Sequence, residues 1–354
     1  MKILVIGNGF DLANGLPTRY ADFLRMCEIS NSPYVYYTKT PNDYLSLSEE
    51  DNVRFAAFCS TIGKDYYNEF KGLSGNNLFI NHFLDRRKVI GSNWLNFEEE
   101  IERLIKGIVD EMNRAPDERV QGSNNIYVTD FCKMNPKDTR VYKDLFKAIR
   151  IEHKKLIRLL EIYMGGYINK LQPQLLDCFK KGFYDHVISF NYTDTYSEKY
   201  EADHCDFCYI HGRARTDNAS PCKMVLGFDD RHTTTQMSEL EMLPYEKFFQ
   251  RLELGTSNEY MTWLNNMDNE ERNLIDIYGH SLAQADADVL SAFMLKPRTL
   301  TRVFYYDDID RYDKMRNLTM ILKSEKTIEL VGGINPRIIF IPKDRYSTNV
   351  CYNF

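Results

Sequence analysis

Four segments of the sequence place glycine or polar residues directly after an apolar, strand-like run. They are "GNGFD" from Gly7, "FNYTD" around Asn191, "IHG" with His211, and "GHSLAQAD" from Gly279. In an open parallel sheet, ligands bind outside the carboxyl ends of the strands. The sequence therefore predicts one shared site that is built from these four strand ends.

Asn191 and His211 are the strongest candidates for catalysis. An asparagine that follows a buried strand can hydrogen-bond a ribose hydroxyl or orient a water. A histidine titrates near neutral pH and can act as a general base or acid. The alternative is structural, because asparagine often forms the turn after a strand and a histidine before glycine often packs. The residues alone leave both interpretations open.

Gly7-Asn8-Gly9 fits a turn in which the backbone approaches a ligand closely or adopts a positive φ. The helix predicted after it could hold a phosphate at its N-terminus. The dinucleotide fingerprint GxGxxG is incomplete, because Leu12 occupies the third glycine position. Asp11 would also repel a pyrophosphate. In the alternative interpretation Asp11 caps the helix and the glycines serve packing.

His280 and Ser281, with Asp286, suggest a hydrolase triad. A nucleophile elbow would need glycine where Ala283 stands, so that hypothesis fails. We expect the turn at His280 and Ser281 to line a ligand pocket, with Asp286 and Asp288 near the start of the next helix. Helix capping and a solvated helix face are the alternatives for the two carboxylates.

Metal binding is not expected. Cys205 and Cys208 form the one CxxC pair of the chain. Strand alternation would send their side chains to opposite faces of a sheet, whereas a four-ligand zinc site usually needs a second clear pair. The acidic run "YDDID" at 306–310 is interpreted as a solvated loop.

The elements that must position these residues are parallel strands with helices between them. Lys2 to Ile6 predicts a buried strand, followed by a glycine turn and a helix through about Leu24. Further strands are predicted in "DHVISFNYTDT", "CDFCYIHGRA", "KMVLGFDD", "NLIDIYGH", "TRVFYYDD" and "PRIIFIP". This alternation predicts an α/β, Rossmann-like, doubly wound and mostly parallel sheet. Residues 1–26 and 181–354 form that domain, and the mainly helical residues 27–180 are interpreted as an insertion domain.

The bulk composition narrows the class of protein. The chain has 354 residues, 43% of them hydrophobic and 27% charged, as expected of a globular enzyme. Its net charge of −6 argues against a general nucleic-acid binder. No stretch reaches the roughly 18 apolar residues that span a bilayer, so no membrane partner is expected. The absence of a signal-peptide pattern and the scattered cysteines predict a cytoplasmic protein with reduced thiols.

Six segments together resemble the AbiH family of bacterial phage abortive-infection proteins. They are "IGNGFDLANGLPTRYADFL", "WLNFEEEIE", "ISFNYTDTY", "YIHGR", "LGFDD" and "IYGHSLAQADADVL". They follow the family's order from end to end, whereas the segments at 27–90 and 112–180 are not diagnostic. The resemblance implies a role in defence against phage.

The same segments are more distantly similar to sirtuins and sirtuin-like NAD-consuming defence domains. Gly15 and Pro17 keep the spacing of the sirtuin start, and His211-Gly212 stands at its HG motif. Asp11 replaces a serine, and Thr193 replaces an aspartate that here comes one position later. The zinc cysteines that follow HG in sirtuins have no counterpart here. The resemblance therefore implies a related fold and NAD chemistry, and it does not imply protein deacylation.

These observations lead to the hypothesis that the protein binds NAD or a related ADP-ribose nucleotide. The nucleotide would be a ligand, or a substrate whose N-glycosidic bond the protein hydrolyses. Asn191 and His211 are the predicted catalytic residues. The predicted nucleotide-contacting residues are Gly7, Asn8, Gly9, Phe10, Asp11, Pro17, Thr193, Asp194, Gly212, Gly279, His280, Ser281 and Asp286.

Two other functions stay open: a nucleotide-sensing or partner-binding module without turnover, and a nucleic-acid-processing toxin. The negative net charge disfavours the second of these. A phage- or host-derived activator and a homo-oligomer are further hypotheses about partners that the sequence does not decide.

Overall fold

The computed structural model describes residues 1–32, 47–90, 96–113, 139–179, 183–200, 202–215, 222–228, 240–256, 258–267 and 272–345. Contacts divide the chain into two compact units. The first contains Met1–Arg19, Ile168–Met224 and Arg251–Phe354, and the second contains Tyr20–Tyr167 and Val225–Gln250. Among the described residues, no helix combines the length and apolarity that crossing a membrane requires.

The first unit is built on a six-stranded parallel sheet. Its strands are β1 (Lys2–Ile6), β2 (His186–Ser189), β3 (Asp206–Tyr209), β4 (Asn273–Tyr278), β5 (Thr299–Tyr305) and β6 (Ile338–Pro342). Their order in the sheet is β3-β2-β1-β4-β5-β6, and each neighbouring pair is parallel. This is the strand order of the Rossmann fold, which reverses direction between β1 and β4. The predicted fold class is confirmed.

Alternation along β1 explains why both faces of this sheet are covered. Ile3 and Val5 belong to one apolar cluster, and Leu4 and Ile6 belong to the other. A strand whose side chains point alternately to two buried faces has an unbroken apolar sequence, as β1 does. Cys208 and Cys205 likewise pack with different clusters, as the alternation predicts.

The helices of the first unit follow the strands in chain order. They are α1 (Asn8–Ala13), α7 (Thr195–Lys199), α9 (Glu259–Asn266), α10 (Ala287–Met294) and α11 (Asp308–Gly332). The second unit contains α2 (Tyr20–Asn31), α3 (Glu49–Ser74), α4 (Leu78–Ile90), α5 (Phe97–Asn113) and α6 (Thr139–Glu161). The remaining helix, α8 (Lys247–Leu254), spans the boundary at Gln250. The first unit thus contains the strands, and the second contains the five helices α2 to α6.

Two predicted elements are wrong. The helix expected through Leu24 is interrupted between α1 and α2, where Gly15 has φ +75° and Pro17 follows. The strand expected in "KMVLGFDD" does not form among the described residues 222–228. There the backbone N–H and carbonyl of Leu226 are bound by the side chain of Gln250, at 3.1 and 3.0 Å. A side chain takes the place of a neighbouring strand.

The acidic run at 306–310 is also not a loop. Asp307 is the N-cap of α11, and its carboxylate accepts a hydrogen bond from the Asp310 N–H at 2.8 Å. Aspartate satisfies the first unpaired N–H groups of a helix well, which explains the acidic composition of this segment.

One ion pair is buried within the sheet. Arg302 on β5 faces Asp276 on β4, its partner in register, and its Nε donates to Oδ1 at 2.5 Å. A second bond joins Nη2 to Oδ2, which also accepts from the Tyr184 hydroxyl at 2.5 Å. Both carboxylate oxygens are therefore paired, as a charge removed from water requires.

Candidate active site

The carboxyl ends of β1 and β4 are joined by close backbone packing. The Gly9 N–H donates to the Gly279 carbonyl at 2.8 Å, and a Cβ on Gly9 would lie 2.8 Å from the Gly279 Cα. Gly279 has φ +68°, and a Cβ there would lie 2.1 Å from the Phe10 nitrogen. The glycines of the opening turn are thus explained by the approach of another loop.

The same contacts occupy the N–H groups of this turn. The N–H of Gly7 donates to the Tyr278 carbonyl at 3.2 Å, and that of Phe10 donates to the Gly7 carbonyl at 2.8 Å. Neither Gly7 nor Gly9 has a positive φ. The N–H groups of Gly7, Gly9 and Phe10 therefore already have protein acceptors in this conformation, and α1 is only six residues long.

Two histidines share one buried carboxylate beside this junction. His211 follows β3, and its Nε2 lies 2.9 Å from Oδ1 of Asp286. His280 follows β4, and its Nε2 lies 3.3 Å from Oδ2 of the same carboxylate. Exposure is 6% for His211, 6% for Asp286 and 4% for His280. We name these three residues the His–Asp–His cluster.

The tautomers of this cluster follow from its contacts. The Leu282 N–H donates to Nδ1 of His280 at 2.9 Å, so a neutral His280 carries its proton on Nε2. Nε2 is the ring nitrogen that lies 3.3 Å from Oδ2 of Asp286. An ionised Asp286 accepts only, so Nε2 of His211 is also a donor and Nδ1 is its basic nitrogen. A histidine oriented by a buried carboxylate is the arrangement of a general base.

Asn191 lies two residues after β2 and joins this end to β1. Its Nδ2 donates to the Gly7 carbonyl at 3.1 Å, and its N–H donates to Oγ of Ser189 at 3.2 Å. Phe190 packs between the histidines, with ring centroids 5.4 Å from His211 and 4.3 Å from His280. Asn191 is thus held beside the His–Asp–His cluster by backbone contacts.

Asp11 is buried on α1 and does not cap it, because Gly7 is the N-cap. The Thr193 hydroxyl donates to its Oδ2 at 2.6 Å. Burial raises the pKa of Asp11 to about 6, although hydrogen bonds from Thr193 and Thr195 act in the opposite direction and nearby Asp194 adds to the rise. The carboxylate is therefore costly to keep ionised at neutral pH.

Replacing Asp11 by asparagine is expected to stabilise the protein above pH 6. Because the folded-state pKa of Asp11 lies above its ordinary value, stability falls as the pH rises from about 4 to about 6. Two pKa units correspond to about 3 kcal/mol, which is the upper limit of the gain. The measurement is the free energy of urea unfolding between pH 4 and pH 8. The gain should vanish at pH 4, and exposed Asp203→Asn should show none; a gain independent of pH would contradict the explanation.

The other predicted residues belong to the first unit. Asp194 is 2.5 Å from Nε of Arg213, and its N–H donates to Oδ1 of Asn169. Gly212 forms the turn after β3, with φ +74°. Ser281 and Asn8 are exposed, and Pro17 lies in the irregular segment between α1 and α2.

The side chain of Phe10 belongs to the apolar core. It is fully buried against the rings of Phe179, Tyr196 and Tyr278, with centroids 5.3, 5.8 and 6.2 Å away. The predicted nucleotide contact of Phe10 stays a prediction, and its ring would have no part in it in this conformation.

A cavity of about 440 Å³ opens at the carboxyl ends of β4, β5 and β6. Its described lining residues are Gly9, Leu12, Ala13, Arg19, Tyr278, Gly279, His280, Ser281, Phe304, Tyr305, Tyr306, Asp310, Lys314 and Lys343. His280 connects it to the His–Asp–His cluster, whereas Asn191 and His211 are not among these lining residues. Its size suits a small-molecule site.

Sequence reasoning missed the charged residues of this cavity. Lys314 on α11 is buried, and its Nζ donates to the Phe304 carbonyl at 2.8 Å and to Asp310 at 2.7 Å. Burial lowers the pKa of Lys314, and Asp310 acts against that effect. The only signal was the i, i+4 spacing of Asp310 and Lys314 after a strand, which is common on any helix surface.

Within the part of the chain that the structure describes, no group of three or more histidine, cysteine or acidic side chains could hold a metal ion. Cys205 instead lies 3.2 Å from the Tyr184 carbonyl.

Comparison with known proteins identifies the family. The model of the family described as "Bacteriophage abortive infection AbiH" matches residues 3–307. The chain belongs to the AbiH family. No curated protein and no solved structure matches it significantly.

Membership in AbiH implies a role in phage abortive infection. The matched range runs from Ile3 in β1 to two residues past the end of β5 and includes every residue of the His–Asp–His cluster. Lys314 and Lys343, the cavity lysines, lie beyond it. The family resemblance drawn from the sequence motifs is thereby confirmed.

Proposed function

We propose that this AbiH protein acts in phage defence by hydrolysing the N-glycosidic bond of NAD or a related ADP-ribose nucleotide. The observation that carries the proposal is the His–Asp–His cluster, whose His280 follows β4 at the point where the strand order reverses. Rossmann-type sheets bind nucleotides at that point. A basic imidazole nitrogen, a buried carboxylate and an adjoining cavity supply what a water-activating site needs.

The proposed reaction is the displacement of nicotinamide by water at C1′ of the ribose. The water oxygen bonds to C1′ as the bond from C1′ to the ring nitrogen breaks. The electron pair of that bond leaves with nicotinamide, which departs as a neutral molecule and needs no general acid. One proton of the water passes to Nδ1 of His211, and ADP-ribose is the other product.

The neighbouring residues take positioning roles in this proposal. Asp286 holds His211 in the tautomer whose Nδ1 is basic, and it stabilises the imidazolium that forms. Asn191, fixed by its bond to the Gly7 carbonyl, offers its amide oxygen to a ribose hydroxyl. A phage- or host-derived activator is a further part of the proposal, because a defence enzyme that consumes NAD must stay inactive before infection.

Replacing His211 by alanine is expected to lower the release of nicotinamide by about 10²- to 10⁴-fold, the usual contribution of a general base. The assay follows nicotinamide and ADP-ribose over time after NAD is added to equal amounts of each protein in extract of phage-infected cells, so that any activator is present. His204, an exposed histidine before β3, provides the matched control as His204→Ala. Equal rates for wild type and His211→Ala would contradict the proposal.

A further inference from the structure

We propose that the cavity at the ends of β4, β5 and β6 binds the nucleoside diphosphate half of the substrate, with the phosphates against Lys343, Arg19 and Lys314. This inference rests on the proposed function, because the cavity would bind the ADP half of the same nucleotide whose nicotinamide is released at His211. The reacting ribose would then extend past His280 to His211.

Charge favours an anion in this cavity. Among its described lining residues, Arg19, Lys314 and Lys343 are cationic and Asp310 is the one carboxylate. Asp310 already accepts hydrogen bonds from Lys314 and from the Tyr306 N–H, both at 2.7 Å. With three cationic side chains and one carboxylate, the described lining residues carry more formal positive than negative charge, which attracts phosphate oxygens in a partly enclosed space.

The glycine turn has few N–H groups left for a phosphate in this conformation. Its N–H groups at Gly7, Gly9 and Phe10 donate to protein carbonyls. A diphosphate thus finds its donors on the lysines and the arginine of the cavity.

Aromatic side chains complete a nucleoside site. Tyr305 and Tyr306 line the cavity beside the cations, and Tyr306 is 68% exposed. Lys343 already lies over the Tyr306 ring, with Nζ 3.3 Å from the centroid. A flat nucleobase stacks on such rings, and the gain is about 1–3 kcal/mol per base in nucleic-acid complexes.

Geometry relates the cavity to the catalytic residues. His280 lies in its wall, Asp286 lies 3.3 Å behind His280, and His211 lies 2.9 Å beyond. One carboxylate therefore separates the cavity wall from the proposed base. A dinucleotide is long enough to occupy both places.

Calorimetric titration of the full chain with ADP tests the inference without any turnover. ADP lacks the nicotinamide bond, so its binding is independent of the hydrolysis reaction. We expect Lys343→Gln and Arg19→Gln each to weaken ADP binding at least tenfold. Both side chains are partly or fully exposed, so these variants should fold. Lys326→Gln, on the exposed part of α11, is the matched control and should bind as wild type does.

The remaining outcomes separate this inference from the proposed function. Pyrophosphate binding that weakens in the same two variants, with adenosine binding unchanged, supports phosphates at the cations. Absence of ADP binding, or equal ADP binding by wild type and both variants, overturns the inference even if NAD is hydrolysed. Cation-dependent ADP binding by a protein that leaves NAD intact even in extract of phage-infected cells supports the inference and contradicts the proposed function.

Discussion

Replacing Asp286 by asparagine is expected to lower kcat for NAD hydrolysis by about 10²-fold or more without unfolding the protein. The reason is the sharing of one carboxylate by two histidines. His280 must keep its proton on Nε2, because the Leu282 N–H donates to its Nδ1. The single oxygen of an asparagine amide would therefore turn to His280, and its NH₂ would face His211.

This exchange reverses the tautomer of His211. An NH₂ group donates, so Nε2 of His211 would have to accept, and its proton would move to Nδ1. Nδ1, the proposed base, would then carry a proton and have no lone pair to accept one from the attacking water. Steady-state kinetics should show the loss in kcat with little change in KM, because the nucleotide contacts in the cavity are unchanged.

Asp288→Asn is the control for this prediction. Asp288 lies two residues further along, is exposed, and pairs with Arg251 at 2.5 Å. It should retain wild-type turnover. Full activity in folded Asp286→Asn would show that the tautomer of His211 has no role in the reaction.

Replacing Arg302 by leucine is expected to destabilise the protein by about 3–5 kcal/mol. The substitution leaves Asp276 fully buried in the sheet with the Tyr184 hydroxyl as a partner and no cation beside it. Removing one partner of a buried ion pair lowers the free energy of unfolding by far more than the intact pair adds to it, because the remaining charge stays buried without compensation. Denaturant unfolding monitored by circular dichroism measures the change.

A double substitution distinguishes the cost of the unpaired Asp276 charge from the cost of losing the Arg302 side chain. Asp276→Leu together with Arg302→Leu removes both charges and should be less destabilised than Arg302→Leu alone. The surface control is Arg316→Leu, since Arg316 is 61% exposed and pairs with Asp313 at 3.4 Å. Its effect should stay below about 1 kcal/mol. A double variant as unstable as Arg302→Leu would contradict the role of the unpaired Asp276 charge.

Much of the sheet could be predicted because local sequence carries the signal. The unbroken apolar run of β1 predicts a strand buried on both faces, and the structure places Val5 and Leu4 in opposite clusters. Strand ends are also local, so the polar residues that follow β2, β3 and β4 could be identified without a structure. Their convergence follows from the parallel order of the strands.

Contacts between residues that are far apart in the sequence could not be predicted in the same way. Nothing near Leu226 in the sequence shows that Gln250 would satisfy its backbone and prevent a strand. Asp286 is shared by His211, 75 residues away, and His280, 6 residues away. The sequence grouped Asp286 with His280 in a predicted pocket but gave no sign that it also contacts His211. Phe10 looked like part of a ligand-binding turn because its burial depends on rings from distant segments.

The cellular concentration of NAD during phage infection tests the central claim most directly. It would be measured in cells that express wild type, His211→Ala or His204→Ala, and any activator is then present. We expect NAD to fall and ADP-ribose to rise after infection with wild type and His204→Ala, and NAD to stay constant with His211→Ala. Protection of wild-type cells against phage with constant NAD would contradict the claim that this AbiH protein acts by hydrolysing NAD.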